Sequence, residues 1–146
     1  MEDSRLKLRL YFKTVLIMLI PAFLLMFIGY LLLPKTEPYY NNISAEEAKV
    51  LIDQYSNQLL IIDVRTPEEY AQGHIPNAVL IPLDELEDRL NEVSNLARNK
   101  DYILVVCRSG SRSVTASEII AKAKHPNVMN LEEGMLGWKY DVETID

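Results

Sequence analysis

The chain has one cysteine and two histidines in 146 residues. A single thiol, Cys107, rules out an intramolecular disulfide, so the folded part must be held together by its core. It also leaves a reactive Cys107 with no resolving cysteine in its own chain. His74 and His125 lie far apart and, with one cysteine, do not make a zinc site, so no metal is expected. Internal repeats and low-complexity tracts are also missing.

Charge is missing in one place. Thr14 to Leu33 is a run of 20 residues without a charged side chain. As a helix it would span roughly 30 Å, the hydrocarbon thickness of a bilayer. Pro21 and Gly29 interrupt it, and both are tolerated in membrane helices. The alternative, a buried core helix, is disfavoured because no polar face exists at any period. The run exceeds the roughly 7–15 apolar residues of a signal peptide, and Gly29-Tyr30-Leu31-Leu32-Leu33-Pro34 lacks an A-x-A-like cleavage site. The sequence therefore predicts an uncleaved signal anchor in contact with lipid.

Arg5, Lys7, Arg9 and Lys13 precede the run, whereas only Lys35 follows it closely. By the positive-inside rule the N-terminus is cytoplasmic and the larger C-terminal part extracytoplasmic. Residues 1–13 carry a net charge of +2 and residues 34–146 a net charge of −8. An acidic C-terminal part argues against nucleic acid as a partner. The expected organisation is a basic cytoplasmic segment at 1–13, a membrane span at 14–33, a linker at 34–42 and a folded domain at 43–146. The linker, PKTEPYYNN, has two prolines and turn residues.

Within the domain, strands and helices alternate. Ser44-Ala45-Glu46-Glu47 is a capping box opening a helix that buries Ala48, Leu51, Ile52 and Tyr55. Leu59 to Val64 reads as a strand buried on both faces. Thr66-Pro67-Glu68-Glu69 is a second capping box with proline at the first helical position, and Gly73 soon ends that helix. Ala78 to Ile81 reads as a strand stopped by Pro82. Leu83 to Ala97 reads as an amphipathic helix, and Tyr102 to Val106 as a buried strand. A helix over Arg112–Lys122, a strand over Val128–Leu131 and an aromatic turn over Met135–Tyr140 complete the chain. The pattern predicts an α/β domain: a central, mainly parallel sheet flanked by helices. In such sheets, function collects beyond the C-terminal strand ends, where Asp63-Val64-Arg65 and Cys107 both fall.

Cys107 ends an apolar run and opens the loop Cys107-Arg108-Ser109-Gly110-Ser111-Arg112, followed by Ser113 at a helix start. Several backbone N–H groups and a helix N-terminus converge on one sulfur, which favours a thiolate and a bound anion. A free cysteine in a strand is most often a small buried hydrophobe. This one is followed by a polar, Gly-containing, doubly basic loop, and that points to covalent use. Arg108 and Arg112 offer guanidinium forks for an oxyanion.

This loop resembles the six-residue active-site cradle of the rhodanese (sulfurtransferase) family. Ile61-Ile62-Asp63-Val64-Arg65-Thr66-Pro67-Glu68-Glu69-Tyr70 is similar to that family's first signature, followed by Gly73-His74-Ile75-Pro76-Asn77-Ala78. Glu133-Gly134-Met135-Leu136-Gly137-Trp138 is similar to its C-terminal signature, except that Glu133 stands where the family often has glycine. The resemblance covers about residues 43–142. It implies a rhodanese-like three-layer fold. It also implies transfer of sulfane sulfur from thiosulfate or a similar small anionic donor, through a Cys107 persulfide, to cyanide or to a thiol or protein acceptor. Neither a metal nor an organic cofactor is implied. Related cell-cycle phosphatases and arsenate reductases use a loop one residue longer, and the shorter ring of amides here suits sulfur better than a tetrahedral phosphate.

Beside this loop, Asp63 is expected to accept hydrogen bonds that fix it, with Arg112 a candidate partner. Arg65 either helps at the pocket mouth or braces the fold, and bracing is the expectation. Ser109, Ser111 and Ser113 serve the loop and the helix start. His74 is expected to be structural, His125 a loop residue, and Trp138 a core plug near the pocket. The paired acids Glu46-Glu47, Glu68-Glu69 and Glu132-Glu133 read as caps and solvated faces. Two other functions use the same cysteine: a sulfur carrier without efficient turnover, and a redox or stress sensor acting through thiol oxidation.

Overall fold

The structure is a computed structural model, and it describes residues 2–31, 39–125 and 127–145. The chain divides into two units, Met1–Glu37 and Pro38–Asp146.

The first unit is one helix, α1 (Glu2–Leu31), with Pro21 inside it. Helical structure thus begins well before the expected span, taking in the basic segment. Among the described residues, no helix is long and apolar enough to cross a membrane. The last two residues of the expected span, 32 and 33, lie outside the described residues, as does most of the expected linker.

The second unit is built on five parallel strands in the order β1-β5-β4-β2-β3. These are β1 (Asn41–Ile43), β2 (Leu59–Asp63), β3 (Val79–Leu80), β4 (Tyr102–Val106) and β5 (Val128–Leu131). The helices are α2 (Ala45–Tyr55), α3 (Pro67–Ala71), α4 (Leu90–Leu96), α5 (Ser111–Lys122) and α6 (Gly134–Gly137). Asn41 and Asn42, expected to be linker, form an edge strand on β5.

The period-two geometry of the strands divides the core into two layers. Leu60, Ile62 and Val64 join Ile103, Val105 and Cys107 on one face, under Val93 of α4 and Ala116 and Ile120 of α5. Leu59, Ile61, Leu104 and Val106 face the other way, toward Ala45 and Ala48 of α2 and Tyr70 of α3. All five residues of β2 are buried, as the unbroken apolar run requires of a strand covered on both sides. Cys107 is the last member of its face's alternation, so its side chain enters the core layer while its backbone leaves the sheet.

Both predicted capping boxes form. Ser44 and Glu47 exchange hydrogen bonds at the head of α2, and Thr66 and Glu69 do so at the head of α3. Two expected helical features differ. Tyr55 lies outside the core and rests against the Tyr102 ring. Residues 83–89 form successive turns, and only Leu90–Leu96 is helix. Asp84, Glu87 and Asp88 sit at i, i+3 and i+4, a like-charge spacing that disfavours a helix. Leu86 is buried all the same, since the turns carry it inward.

Candidate active site

The register of β2 on β4 builds the site. Asp63 pairs with Val106, so the two strands end side by side and deliver Asp63-Val64-Arg65 and Cys107 to one edge. The Val64 amide extends the ladder by donating to the Val106 carbonyl at 2.9 Å.

From there the chain folds around its own sulfur. The Gly110 amide donates to Cys107 Sγ at 3.1 Å, and the Ser113 hydroxyl lies 3.3 Å from the same sulfur. That hydroxyl is also 2.9 Å from the Gly110 carbonyl, so its single proton serves one acceptor or the other. Burial opposes ionisation of the thiol. Hydrogen bonds from the Ser113 hydroxyl and from the amides of Ser113, Ser109 and Gly110 outweigh it, and the thiol titrates below its ordinary value. The residue is only 1 % exposed, so the sulfur sits at the bottom of the loop.

Two glycines make this turn possible. Gly110 caps α5 at φ +89°, and a Cβ there would stand 1.8 Å from the Glu132 carbonyl oxygen. Gly134 has φ +55°, and a Cβ there would stand 2.4 Å from the Cys107 carbonyl oxygen. This close approach lets the head of α6 grip the loop: the Met135 amide donates to the Cys107 carbonyl at 2.8 Å and the Leu136 amide to the Arg108 carbonyl at 2.9 Å.

Among the described residues of the site, the charged groups sort into two pairs, with Arg108 apart from both. Asp63 is fully buried and bonds Arg65 through Nε at 3.0 Å and Nη2 at 2.7 Å. Arg65 also donates to the Glu69 and Gly73 carbonyls, at 3.1 and 2.8 Å. Arg65 thus ties the end of β2 to the carbonyls of α3 and the turn after it. Asp63 does not meet Arg112, because Arg65 occupies its carboxylate completely. Arg112 instead places both terminal nitrogens on Glu69 at 2.8 Å each. That contact holds the Glu69 carboxyl at about 2, against the opposing effect of burial, and raises Arg112. Arg108 is exposed, and among the described residues its guanidinium makes no ion pair or hydrogen bond.

Sequence reasoning missed Glu69 and the grip of α6. Glu68 and Glu69 look alike along the chain; only the capping box, which turns Glu69 back over the head of α3, singled it out. Ser109 and Ser111 are exposed on the loop, and Ser113 is buried at the sulfur. His74 is structural, as expected: it stacks on Tyr70 at 3.7 Å between ring centres, and its Nδ1 lies 3.0 Å from the Tyr70 carbonyl oxygen. His125 is 3.2 Å from the Ser94 hydroxyl, and its neighbour Pro126 lies outside the described residues. Trp138 packs, partly buried, on the core layer beneath α2 and α3. Among the described residues no cluster of histidine, cysteine and carboxylates could hold a metal.

In sequence and in fold the chain is similar to known proteins. The sequence profile of the Rhodanese-like domain family fits residues 44–141. The chain is 41% identical over 96 residues to the proposed sulfur carrier protein YrkF of Bacillus subtilis, covering 66% of this chain and 49% of YrkF. It therefore spans about half the length of that relative. It is 34% identical over 83 residues to a sulfurtransferase of Allochromatium vinosum, covering 57% of this chain and 74% of that protein. The crystal structure of a rhodanese-like domain protein from Staphylococcus aureus superposes with a TM-score of 0.61 at 36% identity, covering 73% of this chain and 99% of that one. With a fold and a family profile that agree over two thirds of its length, the chain belongs to the rhodanese-like domain family.

Proposed function

We propose that the domain is a sulfurtransferase that moves sulfane sulfur from thiosulfate or a similar donor to a thiol-type acceptor through a persulfide on Cys107. One observation carries this reading: a buried sulfur that receives an amide at 3.1 Å and a hydroxyl at 3.3 Å, with its proton affinity lowered. In the first half-reaction the Cys107 thiolate attacks the outer sulfur of thiosulfate. The S–S bond of the donor breaks, its electron pair leaves with sulfite, and a Cys107 persulfide anion remains. The loop amides that stabilise the thiolate are placed to stabilise the new terminal sulfur as well. In the second half-reaction an acceptor thiolate takes that outer sulfur and Cys107 departs as thiolate. Charge and electrons balance in both steps, so the cycle calls for no metal or organic cofactor.

The test is thiocyanate formation from thiosulfate and cyanide by the purified chain, with Cys107→Ser as control. The reading expects activity in the former only; equal activity in both would overturn it. A sulfur carrier is the second reading. The 1 % exposure of Cys107, which shelters a bound sulfur from solvent, favours it, as does the likeness to YrkF. Persulfide that forms but does not turn over would distinguish it.

We also propose that residues 14–33 anchor the chain in the cytoplasmic membrane with its C-terminal domain outside. The support is the uncharged 20-residue run and the basic segment before it. Under this reading the full chain resists alkaline carbonate extraction, and a reporter fused after Asp146 is active only outside the membrane. A chain released by carbonate would contradict the anchor.

A further inference from the structure

The charge arithmetic around Cys107 narrows the donor. The loop carries two arginines, and a doubly charged anion would use both. Arg112, however, is occupied: Glu69 accepts its two terminal nitrogens at 2.8 Å. Arg65, which also lines the adjoining cleft, is neutralised by Asp63. That leaves Arg108 as the one unpaired cation among the described residues of the loop and cleft. The rest of the cleft offers apolar surface as well as polar groups. It has a volume of about 440 Å³, and Met135, Leu136 and Val142 form an apolar lip on it. Leu136 is 69% exposed and Val142 48% exposed, so both side chains are open to an incoming group.

Resting on the sulfurtransferase reading above, we propose that Glu69 is a specificity-determining residue. By withdrawing Arg112 it leaves the cradle matched to a singly charged organic persulfide, whose carbon arm lies on the Leu136–Val142 lip, in preference to doubly charged thiosulfate. The transfer is balanced. The Cys107 thiolate attacks the outer sulfur of R–S–S⁻, the donor S–S bond breaks, its electron pair leaves with RS⁻, and Cys107 holds the persulfide anion. No outside oxidant or reductant enters.

Glu69→Gln is a suitable probe because glutamine also serves at the third position of a capping box, so the head of α3 is kept. It removes the charge that neutralises Arg112. One additional positive charge about 4 Å away is worth about 1 kcal/mol to a singly charged anion in water and about twice that to a doubly charged one, so freeing Arg112 favours thiosulfate over a persulfide by roughly fivefold. The experiment loads the full chain in single turnovers with thiosulfate or with benzyl persulfide, and counts sulfur on the Cys107 peptide by mass spectrometry. In the wild type the half-saturating concentration is expected to be about fivefold higher for thiosulfate than for benzyl persulfide, and Glu69→Gln should close most of that gap by improving thiosulfate. A residue with a merely structural role would worsen both donors together. Leu136→Ser is a second variant at an exposed position and should weaken benzyl persulfide more than thiosulfate.

Wild-type chain that saturates at equal or lower thiosulfate overturns the proposal, as does a Glu69→Gln chain no better with thiosulfate than the wild type. If Glu69→Gln fails to fold, the wild-type comparison and Leu136→Ser decide. Failure of both donors to load Cys107 would instead sink the sulfurtransferase reading itself, so the two failures are distinct.

Discussion

Glu69 and Arg112 stand 43 positions apart in the chain, yet the carboxylate of one accepts both terminal nitrogens of the other at 2.8 Å. The same carboxylate closes the capping box on Thr66. One side chain thus ties the helix after β2 to the helix after β4, across the mouth of the cysteine loop.

This bond makes stability depend on acid. Glu69 titrates at about 2 in the folded chain, below the ordinary 4.5. Its contribution is therefore complete above about pH 4.5 and is lost as pH falls from there toward 2. Urea midpoints at pH 6 and pH 3 should fall further for the wild type than for Glu69→Gln. Parallel losses in the two proteins would show that the pair adds nothing.

Ser113 tunes the thiol. In Ser113→Ala the sulfur loses a hydroxyl donor at 3.3 Å, while burial continues to oppose ionisation. The midpoint of iodoacetamide alkylation against pH should move upward. An unchanged midpoint would assign the lowered proton affinity to the amides alone.

Asp63 and Arg65 form a buried pair whose partners are 0% and 6% exposed at the side chain. Asp63→Ala leaves the Arg65 guanidinium buried without its carboxylate, which should cost about 3–5 kcal/mol in chemical unfolding. The bracing role is contradicted if the cost is below about 1 kcal/mol, the worth of an exposed pair.

Gly110 has no room for a side chain. Gly110→Ala adds a Cβ that would meet the Glu132 carbonyl oxygen at 1.8 Å, in a backbone region unfavourable to alanine. Destabilisation by more than about 2 kcal/mol and loss of the sulfur cradle are expected. Wild-type stability and alkylation kinetics would show that the loop has another resting shape.

These relationships differ in how far the chain announces them. The buried runs Leu59–Val64 and Tyr102–Val106 are legible, because only a strand covered on both faces carries so many apolar residues in sequence. Both capping boxes are legible, because their partners lie three residues apart. The loop from Cys107 to Ser113 is legible too, since its chemistry is local. Pairings between distant segments are not. Nothing near Asp63 or Arg112 states that Arg65 will take the first carboxylate and Glu69 the second guanidinium. Those choices follow from the register of β2 on β4 and from the turn of α3. The stretch from Leu83 to Arg89 is also hard to read: its apolar spacing suits a helix, whereas like charges at Asp84, Glu87 and Asp88 disfavour one.

The central claim is that Cys107 becomes a persulfide. The most direct measurement is mass spectrometry of the full chain, treated with thiosulfate or benzyl persulfide beside Cys107→Ser. The account predicts one added sulfur on the Cys107 peptide, removed by a thiol acceptor and absent from the variant. An unmodified Cys107 peptide from a folded chain with both donors would contradict it.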